Sequence, residues 1–415
     1  MFVDAGDFSG DLTVPGQKQT DAIVDGMNRL GYQVSALGQR ELGAGWEAFA
    51  ERRSRAKFPF VSANLVFQDS GEPVVDPFVV QKVALRDGSK AREVRVAFTG
   101  LTPANPAFLK PGPGSRRIVT ADPMAAARTY VPQMRAKADV VVILSSLDLD
   151  AARNLARGVK EIDLILGAFG GVQSRSDDFP EDSLIGKTRL QYVGDQGKNL
   201  GEIRLGFSDK RALLSVQRSI IGLTSDWPDE PQLLALMNQT RDAVNEYNKS
   251  QATSGSPFLA PSTPGAAPAV GAAPGAAGAA ATVGTTAPAF TGSDRCMPCH
   301  QEAFGIWKRS THARAFDTLV HNHQDFNPNC VGCHSIGFGK PNGFLNAQAT
   351  PGLQHVGCES CHGPSSRHPD SVLKGYGVTT TDACRACHTQ ENSPDFDPAV
   401  YIPRIKHWGE AKAGR

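Results

Sequence analysis

Cys296-Met297-Pro298-Cys299-His300, Cys330-Val331-Gly332-Cys333-His334, Cys358-Glu359-Ser360-Cys361-His362 and Cys384-Arg385-Ala386-Cys387-His388 are four copies of one pattern, Cys-x-x-Cys-His, and together they use every cysteine in the chain. The spacing has a chemical reason: two thiols three positions apart add across the two vinyl groups of one haem, and the adjacent histidine presents its imidazole to the iron. A redox dithiol or half of a zinc site accounts for a lone Cys-x-x-Cys. Neither needs a histidine fixed after the second cysteine, and a disulfide framework needs none either. Four repeats with no cysteine left over point to four covalently attached haems c, with His300, His334, His362 and His388 as proximal iron ligands.

All eight cysteines and all ten histidines of the 415-residue chain lie between Cys296 and His407. The chain therefore splits into a redox part and a part without the usual metal ligands, and its length independently predicts two domains of unequal size. A formal net charge of +1 gives no strong pull toward nucleic acid or an anionic membrane. No stretch reads as a transmembrane segment, because the longest apolar, uncharged run, residues 266–289, is rich in Gly, Pro and Ala. The partners implied are redox donor and acceptor proteins that the sequence leaves unidentified.

Residues 1–250 alternate short β-branched runs with amphipathic stretches, the pattern of an α/β domain. Strands are predicted at Phe2–Asp4, Phe60–Phe67, Val79–Leu85, Val94–Thr99, Val140–Leu144 and Leu164–Leu166, followed by a ladder of Leu190–Val193 with Glu202–Phe207. Helices are predicted at Gln17–Leu30, Trp46–Arg55, Met124–Ala138, Ala151–Val159 and Pro231–Lys249. Residues 251–290 hold 14 Ala, 6 Gly and 6 Pro and no charged side chain, a composition that predicts a disordered linker. Residues 291–415 are poor in aliphatic runs and rich in Gly, Pro and Asn. They predict a mainly α, loop-rich domain with four porphyrins supplying its core.

Each iron needs a sixth ligand, commonly His or Met. The one Met of this domain, Met297, is trapped between the cysteines of the first motif, so histidine is the expected distal ligand and low reduction potentials follow. Six histidines remain for at most four places: His312, His321, His323, His355, His368 and His407. Trp307-Lys308-Arg309-Ser310-Thr311-His312-Ala313 reads as a short helix folding back over a haem, which makes His312 the leading candidate. His321, His323 and His355 compete for another place.

The segments Trp307 to Ala315, Val356 to Pro364 with His368, and Ile405-Lys406-His407 resemble the cytochrome c-554 family of tetrahaem cytochromes, across residues 291–410. The resemblance implies haems stacked in close pairs, an electron-relay role, and His312, His368 and His407 as distal ligands. It also allows one haem to be five-coordinate; otherwise that place is left to His323, His321 or His355, of which His323 is the candidate.

Val3-Asp4-Ala5-Gly6-Asp7, Gly31-Tyr32 with Ala36-Leu37-Gly38, Phe58-Pro59 with Ser62-Ala63-Asn64-Leu65, and Gly194 to Leu205 resemble a 5'-nucleotidase-type metallophosphoesterase. Enzymes of that type use Asp, Asn and His to hold two metals that activate a bridging water. Asp7 matches the bridging aspartate, but the family's Gly-Asn-His-Glu is Gly38-Gln39-Arg40-Glu41 here. The later histidines are replaced at Ser145-Ser146 and Gly167-Ala168-Phe169-Gly170. The expected domain is a degenerate scaffold that has lost hydrolysis.

The sequence thus predicts an electron-transfer protein rather than an enzyme. The alternative is a redox enzyme that binds a small nitrogen-oxide-type ligand at one five-coordinate haem. Attachment of haem c takes place outside the cytoplasm, so export to the periplasm or cell surface is expected. Met1 leads straight into a strand and an acidic turn, so a signal segment is expected upstream of the sequence given.

Overall fold

The computed structural model describes residues 1–85, 92–103, 116–167, 184–193, 197–224, 226–253, 289–368, 377, 380–389, 392–393 and 395–407. Two compact units are present, Met1–Thr240 and Arg241–Arg415.

The first unit runs β1 (Phe2–Asp4), α1 (Val14–Leu30), β2 (Tyr32–Ala36), α2 (Trp46–Arg55), β3 (Phe60–Val61), β4 (Leu65–Phe67), β5 (Val79–Leu85), β6 (Arg92–Leu101), β7 (Ile118–Thr120), α3 (Pro123–Lys137), β8 (Val140–Ser145), α4 (Leu149–Gly158), β9 (Leu164–Gly167), β10 (Leu184–Ile185), β11 (Thr188–Tyr192), β12 (Asn199–Phe207), β13 (Leu213–Gly222) and α5 (Pro231–Thr253). A six-stranded sheet has the order β10-β11-β9-β8-β6-β5. Its β6, β8, β9 and β11 are parallel, and antiparallel β5 and β10 close the edges. The parallel centre requires cover on both faces, and Val140 to Ser145 of β8 are accordingly all buried.

One face of this sheet packs Val141, Ile143 and Ile165 against Val131, Met134 and Leu155 of α3 and α4. The other packs Val96, Phe98, Val142 and Leu144 against Val34, Ala36 and Val61 of the parallel sheet β1-β2-β3. Met27, Phe49, Phe60 and Leu65 join α1 and α2 to the far side of that smaller sheet. Three side-chain oxygens set helix starts: Thr13 Oγ1 accepts from Gly16 N at 3.2 Å, Asp122 from Ala125 N at 2.7 Å, and Asp148 from Ala151 N at 2.7 Å.

The α/β expectation holds, with local differences. Phe60–Phe67 is two strands, interrupted because the Asn64 side chain donates to Thr102 O (2.7 Å) and Ala121 O (3.1 Å) and accepts from Thr102 N (3.1 Å). Leu190 to Tyr192 pair with β9, and β12 pairs with β13 instead of with Leu190–Val193. The linker predicted at 251–290 lies outside the described residues over 254–288. The division between the units falls within α5, and Asp242 and Asn245, on its second-unit part, bond to His323 and Asp325 of the same unit.

The second unit is mainly helical. Its helices are α6 (Gln301–Arg309), α7 (Ala315–His321), α8 (Pro328–His334), α9 (Cys358–His362), α10 (Thr381–Arg385) and α11 (Pro398–Ile405), with 3₁₀ turns at Ser293–Cys296, Thr311–Arg314 and Pro351–Leu353. Helix α6 stops at Arg309, before the predicted Trp307–Ala313 stretch ends, and Ser310 N turns back to Trp307 O. A small protein core does form, from Phe316, Leu319, Val331, Ile336, Phe338, Phe344 and Leu353, all clustered around the second motif. No described helix is long and apolar enough to cross a membrane.

Candidate haem-attachment sites

Each Cys-x-x-Cys-His segment folds as a tight helical turn, which brings cysteines at i and i+3 to one side. In the first and fourth motifs the turn closes through His300 N to Cys296 O and His388 N to Cys384 O, both 2.9 Å. The second lies within α8, capped by Asn327 and anchored by buried Val331, and the third forms α9. None of the eight cysteines is paired with another in a disulfide.

Each of the three histidines expected as distal ligands lies beside one of the attachment-motif histidines. The ring centroids of His300 and His368 are 6.1 Å apart, those of His388 and His312 6.2 Å, and those of His362 and His407 5.9 Å. Two metal–nitrogen bonds of about 2 Å, plus about 1 Å from each coordinating nitrogen to its ring centre, separate such centroids by about 6 Å. The three pairs therefore have the spacing that an iron between two imidazoles requires.

Tautomers fit as well. His362 Nδ1 donates to Gly377 O, His334 Nδ1 to Ala315 O at 2.5 Å and His407 Nδ1 to Ile405 O at 2.9 Å. A carbonyl only accepts, so the proton sits on Nδ1 and the Nε2 lone pair is left for a metal. His388 Nδ1 is likewise engaged, by Ser393 Oγ at 2.9 Å, and the Phe396 ring stacks on its imidazole at 4.3 Å. Burial, with His388 close by, pushes the His312 imidazole below its ordinary range and so favours the neutral form.

The remaining histidines are placed otherwise. His355, at φ +70°, accepts from Phe316 N at Nδ1 (3.2 Å), the opposite tautomer. His323, at φ +55°, sets Nδ1 2.6 Å from Asp242 Oδ1, and His321 ends α7 as an exposed residue. Among the described residues no histidine ring stands opposite His334. His323, named by the sequence as the fourth distal candidate, faces a carboxylate instead.

The motifs also touch one another. The Cys358 thiol is held down to about 6 by its hydrogen bond with Cys296, and the Cys333 thiol to about 7 by its hydrogen bond with Cys387. Burial, and then the neighbouring Cys384, raise Cys361. The third motif thus abuts the first and the fourth, and the fourth abuts the second.

In the first unit, the positions that would correspond to metal ligands are tied into internal hydrogen bonds. Glu41 accepts from the backbone N–H groups of Asp7 (3.0 Å), Ser9 (3.0 Å) and Gly38 (2.9 Å), and Asp7 Oδ1 accepts from Arg40 N (3.0 Å). Gln39 Nε2 donates to Pro103 O and Thr120 Oγ1, and Ser145 Oγ meets Tyr192 OH at 3.3 Å. The loops approach so closely that a Cβ on Gly6, at φ +86°, would lie 2.9 Å from Gly38 N. Gly167 ends β9, and the replaced signature at Ala168-Phe169-Gly170 lies outside the described residues. Among the described residues no three His, Cys, Asp or Glu side chains gather as a metal site.

The Cytochrome c554 and c-prime family matches at residues 295–363. The C-terminal unit is cytochrome c554-like. Cytochrome c-554 of Nitrosomonas europaea is 30% identical over 141 residues, covering 25% of this chain and 60% of that protein. The N-terminal unit has the calcineurin-like phosphoesterase fold. It superposes on a calcineurin-like phosphoesterase from Bacillus subtilis with a TM-score of 0.50 at 23% identity, covering 59% of this chain and 84% of that one. By sequence it is similar to the 5'-nucleotidase of Mus musculus, 24% identical over 267 residues, covering 60% of this chain and 45% of the relative. The chain thus spans less than two thirds of these curated relatives.

Proposed function

We propose that the protein carries electrons through four covalently attached haems, outside the cytoplasm, between donor and acceptor proteins. The observation that carries the reading is the trio of facing histidine pairs at 5.9 to 6.2 Å. When bound, each haem supplies an iron that cycles between the ferric and ferrous states. The eight cysteines tether the four groups as thioethers, and His300, His334, His362 and His388 hold them from the proximal side. His368, His407 and His312 complete the first, third and fourth sites, and bis-His ligation without a thioether sulfur favours low potentials.

Contacts between motifs support a relay order of first, third, fourth and second. The cytochrome c554-like domain does the redox work in this reading. The phosphoesterase-fold unit is a scaffold without hydrolytic activity, its candidate ligand positions spent on backbone hydrogen bonds.

The deciding experiment combines intact mass with spin-state counting on the purified protein. A mass excess of four haems that survives denaturation is the expected result, and a smaller excess defeats the tetrahaem reading. A second reading, binding of a small nitrogen-oxide-type ligand at one haem, is favoured by a single observation: no described histidine faces His334.

A further inference from the structure

Glu359 occupies the first variable position of the third attachment motif, and its residue is only 3% exposed. Its carboxylate accepts from Thr291 N (2.9 Å), Gly292 N (2.8 Å), Ser365 N (2.7 Å) and Ser365 Oγ (2.6 Å), with Thr291 Oγ1 at 3.4 Å. Backbone N–H groups only donate, so this nest is built around an acceptor-only carboxylate. No Lys, Arg or His among the described residues forms an ion pair with it.

The donors come from two separate places. Thr291 and Gly292 lead directly into the turn Ser293–Cys296 of the first motif. Ser365 begins the turn that delivers His368, whose N–H bonds to Ser365 O at 2.9 Å, and His368 faces His300. The Cys358 N–H donates in turn to Ser293 Oγ at 3.1 Å. One carboxylate therefore joins the third motif, the approach to the first, and the loop that carries the first site's distal histidine.

We propose that Glu359 is a positioning and redox-tuning residue, a buried fixed negative charge that lowers the reduction potentials of the haems at the first and third motifs while pinning the His368 loop. An oxidised iron carries one more positive charge than a reduced one, so a nearby anion favours the oxidised state. A unit charge about 10 Å away at an effective dielectric of about 20 shifts such an equilibrium roughly tenfold.

The inference rests on the four-haem reading and is tested on the full haem-loaded chain by potentiometric titration of the individual haems. E359Q keeps the shape and one acceptor oxygen but removes the charge. It is expected to raise two of the four midpoint potentials by about tenfold in equilibrium constant, about 59 mV for a one-electron couple, with E359D close to wild type. Unmoved potentials in an E359Q protein that still carries four haems, or an equal shift at all four, overturn the tuning role. Should E359Q fail to load haem, S365A decides: it keeps the charge and removes one compensating donor, so the same two potentials should fall. Unchanged potentials in S365A then overturn the proposal. A haem count below four in wild-type protein instead defeats the underlying reading.

Discussion

His312 stands opposite His388, their ring centroids 6.2 Å apart, although one follows the first attachment motif and the other closes the fourth. The geometry has a local cause. Helix α6 ends at Arg309, the 3₁₀ turn Thr311–Arg314 holds His312, and His312 O accepts from Val356 N at 3.1 Å. Trp307 Nε1 donates to Val356 O at 2.8 Å, so this histidine is braced by the strand of chain that leads into the third motif.

From this arrangement His312→Ala, His368→Ala and His407→Ala are each expected to convert one haem from low to high spin while the covalent count stays at four. His323→Ala and His355→Ala should leave the spin count unchanged, because their imidazoles serve Asp242 and Phe316 N. Electron paramagnetic resonance of the five variants checks this. A variant among the first three with an unaltered low-spin spectrum removes that residue from the ligand set.

Much of this site is legible in the sequence because the attachment chemistry is local: thiol, thiol and imidazole fall within five residues. The proposed distal ligands are not local, and only the resemblance points to His368 and His407. His323 is separated from His321 and His355 by no physical signal in the sequence. Its left-handed backbone and the carboxylate of Asp242 depend on α5, which no reading of the 320s reveals. In the phosphoesterase-fold unit, β8 is plain as an unbroken apolar run. Strand β2 is not legible because Tyr32-Gln33-Val34-Ser35-Ala36 is short and half polar, and β13 is not because only its pairing with β12 organises it. Glu359 lies in a segment that carries the resemblance, but its role is not legible there, since its donors at Thr291, Gly292 and Ser365 come together only in the fold.

The N-terminal unit should lose stability as the pH rises from acid toward neutral. Burial pushes the Asp4 carboxyl from 3.8 up to about 6, and burial with the neighbouring Asp7 charge pushes Glu41 up to about 7. A group that binds its proton more tightly when folded contributes fully below its unfolded value and loses that contribution as the pH climbs through the folded one. For Asp4 the window is therefore about pH 4 to 6, with Glu41 extending it to about 7. Asp4→Asn is expected to flatten the decline by at most about 3 kcal/mol. Urea unfolding of both proteins from pH 4 to 7 measures it, and parallel profiles count against the assignment.

Hydrolysis of nucleotides or model phosphate esters by the full chain, with manganese or zinc added, is expected to stay at the level of the metal blank. Arg40 stands where the family pattern has a histidine, and the Glu41 carboxylate is occupied by three N–H donors. Metal-dependent turnover that disappears in Asp7→Ala would show that the cleft still works.

The haem held by His334 is expected to be the one with an open axial position. His334 is fixed on its proximal side by Ala315 O (2.5 Å) and Thr318 Oγ1 (3.4 Å), both from α7, so its Nε2 is aimed away from that helix. The other three proximal histidines each meet a second imidazole at about one iron's span, and this one meets none among the described residues. His323 and His321, the two histidines nearest to it in sequence, lie against Asp242 and at the exposed end of α7. The resting protein should therefore display one high-spin and three low-spin haems. Added nitric oxide should bind one equivalent and abolish the high-spin signal while the three low-spin signals persist. If all four haems are low-spin before any ligand is added, a sixth ligand does reach the second motif and the small-ligand reading fails, whereas the electron-carrier reading stands.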